Sequence, residues 1–140
     1  MNTQLTQSEI QNVNQLLQDY APAQKTLNLI NETNGDLEKS FAALWTELHG
    51  QQVFSQTKLW QSTVNVFRQE LCGKEGFQNQ VKEYNKNPTS APLLTGLIVS
   101  VVHSVGVPID PAIATVVVLY IIKVGINIFC DYINPEATKK

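Results

Sequence analysis

The sequence predicts an all-α fold: a compact helical bundle of six or seven helices with an apolar C-terminal helical hairpin at its centre. Three observations predict it. Apolar residues in the first two thirds recur at three- and four-residue steps. Capping residues, prolines and glycines punctuate those runs at helical lengths. The last third, from Ala91 to Ile133, is almost continuously apolar and is divided once, at "VGVPIDPA", Val105 to Ala112.

The first helix starts at a capping box, with Thr6 as hydroxyl acceptor and Glu9 three residues on. Ile10, Val13, Leu17 and Tyr20 then share one face, and Pro22 ends the run. A short second helix carries Leu27 and Ile30, with Asn34-Gly35 suited to its C-terminal cap. Asp36 caps a third, which turns Phe41, Leu44, Trp45 and Leu48 inward and stops near Gly50. The fourth runs from about Gln56 to Leu71 and presents Leu59, Trp60, Val64, Phe67 and Leu71, with Gly73 closing it. Phe77, Val81 and Tyr84 belong to a fifth, broken by the two prolines of "NKNPTSAP", Asn85 to Pro92.

The apolar third contains "TVVVLYII", whose β-branched residues suit strands. Its runs are nevertheless too long for ordinary strands, and helix is the better reading. Gly106 permits a C-terminal cap, Asp110 an N-cap, and Pro111 the first helical position. The result is two arms, Leu93 to Val107 and Ala112 to Cys130, joined by a tight connection. The 140 residues form one domain. Residues 1–87 are amphipathic helices, 88–134 the apolar hairpin, and 135–140 a polar tail.

That hairpin poses the question of membrane or core. Each arm averages roughly 2 on a hydropathy scale, in the range of spans. Lys82 and Lys86 precede the hairpin and Lys139 and Lys140 follow it, as a hairpin with both ends cytoplasmic requires. Gly96, Ser100 and Ser104 offer a face for close helix approach in lipid. Against this, the first arm is short of the ~20 residues of a span. Lys123 falls near the middle of the second arm, where lysine costs roughly 3 kcal/mol. Tyr120, Lys123, Asn127, Asp131 and Asn134 form a narrow polar stripe, and Gly96, Ser100, His103 and Ser104 form another. A thin polar stripe beside a wide apolar face marks a mostly buried helix, and the aromatic helices carrying Trp45 and Trp60 need something to cover. A covered hairpin is therefore expected. The layout resembles that of pore-forming colicins and apoptosis regulators, soluble bundles that enclose an apolar hairpin. The resemblance is one of layout alone.

Chemistry is sparse. The net charge is −2, with no basic tract, which gives nucleic acid no electrostatic footprint. Charged residues are 16 %, against a norm of roughly 25 %. Cys72 and Cys130 form no CxxC pair and are expected as free, buried or half-buried thiols; a disulfide would need two helix ends side by side. His49 suits a helix end, and His103 a polar face. Two scattered Cys and two scattered His do not make a zinc site. No Walker or dinucleotide glycine pattern occurs. No catalytic residue, metal or cofactor is expected, and the chain reads as a non-enzyme.

The function expected is a helical protein–protein interaction or adaptor domain, binding a partner protein or itself. The alternatives are a membrane-associated or membrane-inserting effector using residues 93–133, and a carrier for an apolar ligand held between the hairpin and the aromatic helices. The candidate interaction or membrane-switch residues are Lys123, Asn127, Asp131, His103, Trp45 and Trp60. Lys123 is expected to snorkel, or to pair with Asp131, Asp110 or an acidic partner. "MNTQLTQSEIQ" lacks the charged and apolar regions of a secretory signal, so the cytoplasm is expected. The alternatives are the cytoplasmic face of a membrane, or an integral hairpin. On the adaptor reading, expressed protein fractionates with the cytosol without detergent. Recovery wholly in the membrane fraction would contradict that reading.

Overall fold

The computed structural model describes residues 3–50, 55–106 and 109–131, and shows an all-α bundle. Among them are eight α-helices: α1 Gln7–Leu16, α2 Gln24–Glu32, α3 Leu37–His49, α4 Gln56–Leu71, α5 Glu75–Lys86, α6 Ala91–Ser104, α7 Pro111–Val124 and α8 Ile126–Asp131. A 3₁₀ turn, Ala21–Ala23, precedes α2. The count exceeds the expected six or seven because the second apolar arm is two helices.

Local signals fix most helix starts. The Thr6 hydroxyl accepts from the Glu9 backbone N–H and the Glu9 carboxylate accepts from the Thr6 N–H, closing the capping box of α1. Asp36 accepts from the Lys39 N–H to cap α3, and Asp110 from the Ala112 N–H to cap α7, with Pro111 at the first position. Between α2 and α3, Gly35 has φ +93°, and a Cβ there would lie 2.6 Å from the Leu5 carbonyl oxygen. Only glycine lets residues 3–5 lie against this turn, where the Leu5 N–H donates to the Gly35 carbonyl at 2.9 Å.

Helix α7 is the centre. From Ala112 to Ile121 every residue is buried, with no face left for water. Helices α2, α3, α6 and α8 and the 3₁₀ turn pack against it. Helix α4 lies on α3 and α6, α5 on α6, and α1 on α2. The two apolar arms are therefore unequal. Helix α6 buries one face, through Leu94, Leu97, Ile98 and Val101, and leaves Val99 39 % exposed. The connection between them includes residues 107 and 108, which lie outside the described residues. Helix α6 ends at Val105 in extended backbone, so the expected cap at Gly106 is not what stops it.

Three further expectations are corrected. The second arm does not run through to Cys130: Gly125, at φ +93°, breaks it. Tyr120 and Lys123 thus lie on α7, Asn127 and Asp131 on α8, and the polar stripe is not one helix face. Tyr120 is core, Asn127 and Asp131 are exposed, and Asn134 and the 135–140 tail lie outside the described residues. Leu48, expected inward, is 38 % exposed. Cys72 and Cys130 are not free. They form a disulfide with Cα atoms 5.7 Å apart, joining the end of α4 to α8 over a sequence separation of 58. In the chain-entropy account, closing a loop of that length stabilises by about 4 kcal/mol.

No helix among the described residues is long and apolar enough to cross a membrane. Both α6 and α7 have 14 residues, a rise of about 21 Å against about 30 Å of hydrocarbon.

The one-sidedness of α6 gives a direct test. Ile98→Ala should cost about 2–5 kcal/mol by opening a cavity, while Val99→Ala next to it should stay within about 0.5 kcal/mol. Urea unfolding of both variants measures the difference. Equal losses would mean that α6 buries both faces.

Candidate functional site

Two features gather side chains in ways that packing alone does not require. The first is an apolar groove. Trp45, Leu48 and His49 come from α3 at steps of three and four, so they share one face. Thr63, Val66 and Phe67 repeat that spacing on α4, and Ile109, Asp110 and Ile113 close the groove at the start of α7. It encloses about 480 Å³. Leu48 and Val66 are among the few large apolar residues left open, and Val66 is 44 % exposed. The half-buried Trp45 ring lines the groove, 6.0 Å from Phe41 and 4.0 Å from the His49 ring. His49 and Asp110 are the polar members of the rim, besides the Thr63 hydroxyl. Asp110 is also occupied as the cap of α7.

The second feature is the ion pair that holds Lys123. Its Nζ donates to Glu9 Oε1 at 2.8 Å. The same carboxylate oxygen accepts from the Thr6 N–H at 2.8 Å. One oxygen thus serves both the cap of α1 and the last turn of α7. Burial pushes the Glu9 carboxyl up, but the Lys123 ammonium and the Thr6 N–H outweigh it and hold Glu9 below its ordinary value of 4.5. Lys123 therefore pairs with Glu9, not with Asp131 or Asp110.

The structure disperses the sequence candidates. Trp60 is core, edge-to-face with Phe41 at 5.4 Å and Tyr120 at 5.1 Å. Trp45 is the one candidate that reaches the groove. His103 is exposed in the last turn of α6 and does not line the groove. Sequence reasoning missed Leu48 and Val66 as surface, and Ile109 and Ile113 as lining of the groove. Val66 carried a usable signal, since it falls between the inward positions Val64 and Phe67 and cannot face the core with both. Glu9 was visible only as a cap. Its second partner is 114 residues away.

The arrangement can bury apolar groups. Among the described residues no group of three or more His, Cys, Asp or Glu could hold a metal ion.

The ion pair makes stability depend on pH in one direction. Because the folded Glu9 value lies below 4.5, its contribution is complete above that pH and is lost as pH falls through the folded value. The stability advantage of the wild type over Lys123→Met should therefore shrink as pH falls below 4.5. Paired thermal melts across that range measure it, and a constant difference would mean that the pair contributes nothing.

Comparison with known proteins adds no identification: no protein-family model, no curated protein and no solved structure matches the chain.

Proposed function

We propose that this domain is a non-catalytic protein-interaction module, and that the α3–α4–α7 groove takes apolar side chains of a partner. The observation that carries this is the open pair Leu48 and Val66 flanking a half-buried Trp45. A half-buried tryptophan lining an apolar groove is the kind of group that dominates protein interfaces. Each open aliphatic chain is already more than half buried, so moving the rest of it out of water gains about 1 kcal/mol. The rim suits this use, since an apolar centre with a few polar edges is the usual anatomy of an interface. The low surface charge favours close contact over long-range steering.

The groove size also favours a second reading. A volume of about 480 Å³ falls in the range of small-molecule sites, roughly 300–1,000 Å³, so an apolar ligand carrier is the alternative. The two readings separate by experiment. A module for proteins should recover a partner from its source cells, or self-associate in sedimentation, and Leu48→Asp with Val66→Asp should abolish this. Both sites are exposed, so the double variant should keep the wild-type melting temperature to within about 4 °C. A photocrosslinker at position 48 should label the partner directly. Undiminished binding by the double variant would sink the proposal. A carrier should instead bind an apolar dye one-to-one, and Leu48→Trp, an enlargement at an exposed position of the groove lining, should block it.

A further inference from the structure

We infer that α8 is a redox-conditional element, latched onto the end of α4 by the Cys72–Cys130 disulfide and released when that bond is reduced. The device is independent of the groove. It rests on what does and does not hold α8 in place.

Helix α8 has six residues, too few to persist in water without tertiary support. Half of it faces solvent: Asn127 and Asp131 are exposed, and Ile128 is 50 % exposed. Its core contribution is Ile126 and Phe129. Ahead of it, Gly125 takes φ +93°, and a Cβ there would meet nothing within 4 Å, so the link to α7 is a glycine joint with no side chain to lock it. Two ties remain. One is polar: Arg68 of α4 donates its Nε–H to the Phe129 carbonyl at 2.8 Å, and its guanidinium lies 5.5 Å from the centre of the Phe129 ring. The other is the disulfide, one residue further on. Arg68 and Cys72 are one helical turn apart on α4, and Phe129 and Cys130 adjoin on α8. The hydrogen bond and the covalent bond therefore hold the same patch of α8 from the same helix face.

Such ties are cooperative. With the disulfide in place, the Phe129 carbonyl cannot leave Arg68, and Phe129 stays against Tyr120 at 6.1 Å. Without it, the Arg68 hydrogen bond and two buried side chains, Ile126 and Phe129, must hold a helix that cannot stand alone on a glycine joint. Local opening then needs far less than global unfolding, because α7, α2 and α3 keep their own packing. Opening uncovers the Phe129 site, walled by Tyr120 and Arg68.

The chemistry needs a dithiol donor. One donor thiolate attacks a sulfur of the half-buried disulfide, forms a mixed disulfide and expels the other cysteine as a thiolate, which takes up a proton. The second donor thiolate then attacks the donor sulfur of the mixed disulfide, closes the donor's own disulfide and expels the remaining cysteine as a thiolate, which also takes up a proton. Two electrons and two protons pass to Cys72 and Cys130. An oxidising compartment keeps the latch closed; the reducing cytoplasm keeps it open.

The test is hydrogen exchange followed by mass spectrometry on the whole chain, oxidised, then treated with dithiothreitol, then reoxidised. Reduction should speed exchange across Ile126–Asp131 by at least about tenfold, leave α2 and α3 unchanged, and reverse on reoxidation. A Cys72→Ser, Cys130→Ser double variant should match the reduced protein and ignore the donor. Three results would overturn the inference: α8 protection unchanged by reduction, protection lost from the whole chain together, or two free thiols that no oxidant joins.

Discussion

A helix with no face left for water must be covered on every side, and α7 is that helix. Its burial from Ala112 to Ile121 decides where the other elements go. Helices α2, α3 and α6 each lay an apolar stripe on it, while α1, α4 and α5 form an outer layer on those three. The polar groups of the interior follow the same constraint. Thr115 turns its hydroxyl back to the Pro111 carbonyl at 2.7 Å, and Thr26 donates across from α2 to the Ala112 carbonyl at 2.8 Å. No described buried side-chain nitrogen or oxygen lacks a partner, which is what a dry centre demands.

The same constraint explains the high hydropathy of the C-terminal third, and why hydropathy read it ambiguously. An all-round apolar helix suits lipid or the middle of a soluble bundle equally. What separates the two is helix length and where the charges fall. Gly125 ends α7 one residue after Val124, so Lys123 lies in its last turn rather than at mid-arm. Asp110 caps the other end. The two charged residues between Thr95 and Phe129 thus stand at opposite ends of one helix, each with the sign its dipole favours. A lysine that looked costly at the centre of a span is, at a helix terminus with Glu9 beside it, an ordinary satisfied group.

Much of this was legible in the sequence, and the boundary is a physical one. Caps and helix faces are written within a few residues, so Thr6 with Glu9, Asp36, Asp110 with Pro111 and the whole of α4 from Gln56 to Leu71 could be read directly. The apolar spacing of Phe77, Val81 and Tyr84 likewise reports a face that the structure buries. What escaped depends on chain separation. Nothing near Lys123 points to Glu9, and nothing near Cys72 points to Cys130. Gly125 escaped for a different reason: spacing continues across a break, so Asn127 and Asp131 kept a register with Lys123 that the backbone had abandoned. Leu48 failed through its position, since it continues the inward spacing of α3 past the point where α7 is there to receive it.

Where the cover over α7 runs out is also where the surface becomes distinctive. Near the start of α7, Trp45, Leu48 and His49 of α3 form a groove with Thr63, Val66 and Phe67 of α4. At the other end α7 stops at Gly125, and its last core ring, Phe129, is supplied by a separate short helix. Val66 and Phe67 line the groove, and Arg68, the next residue, together with Cys72 at the end of the helix holds α8. One helix therefore carries the walls of both sites.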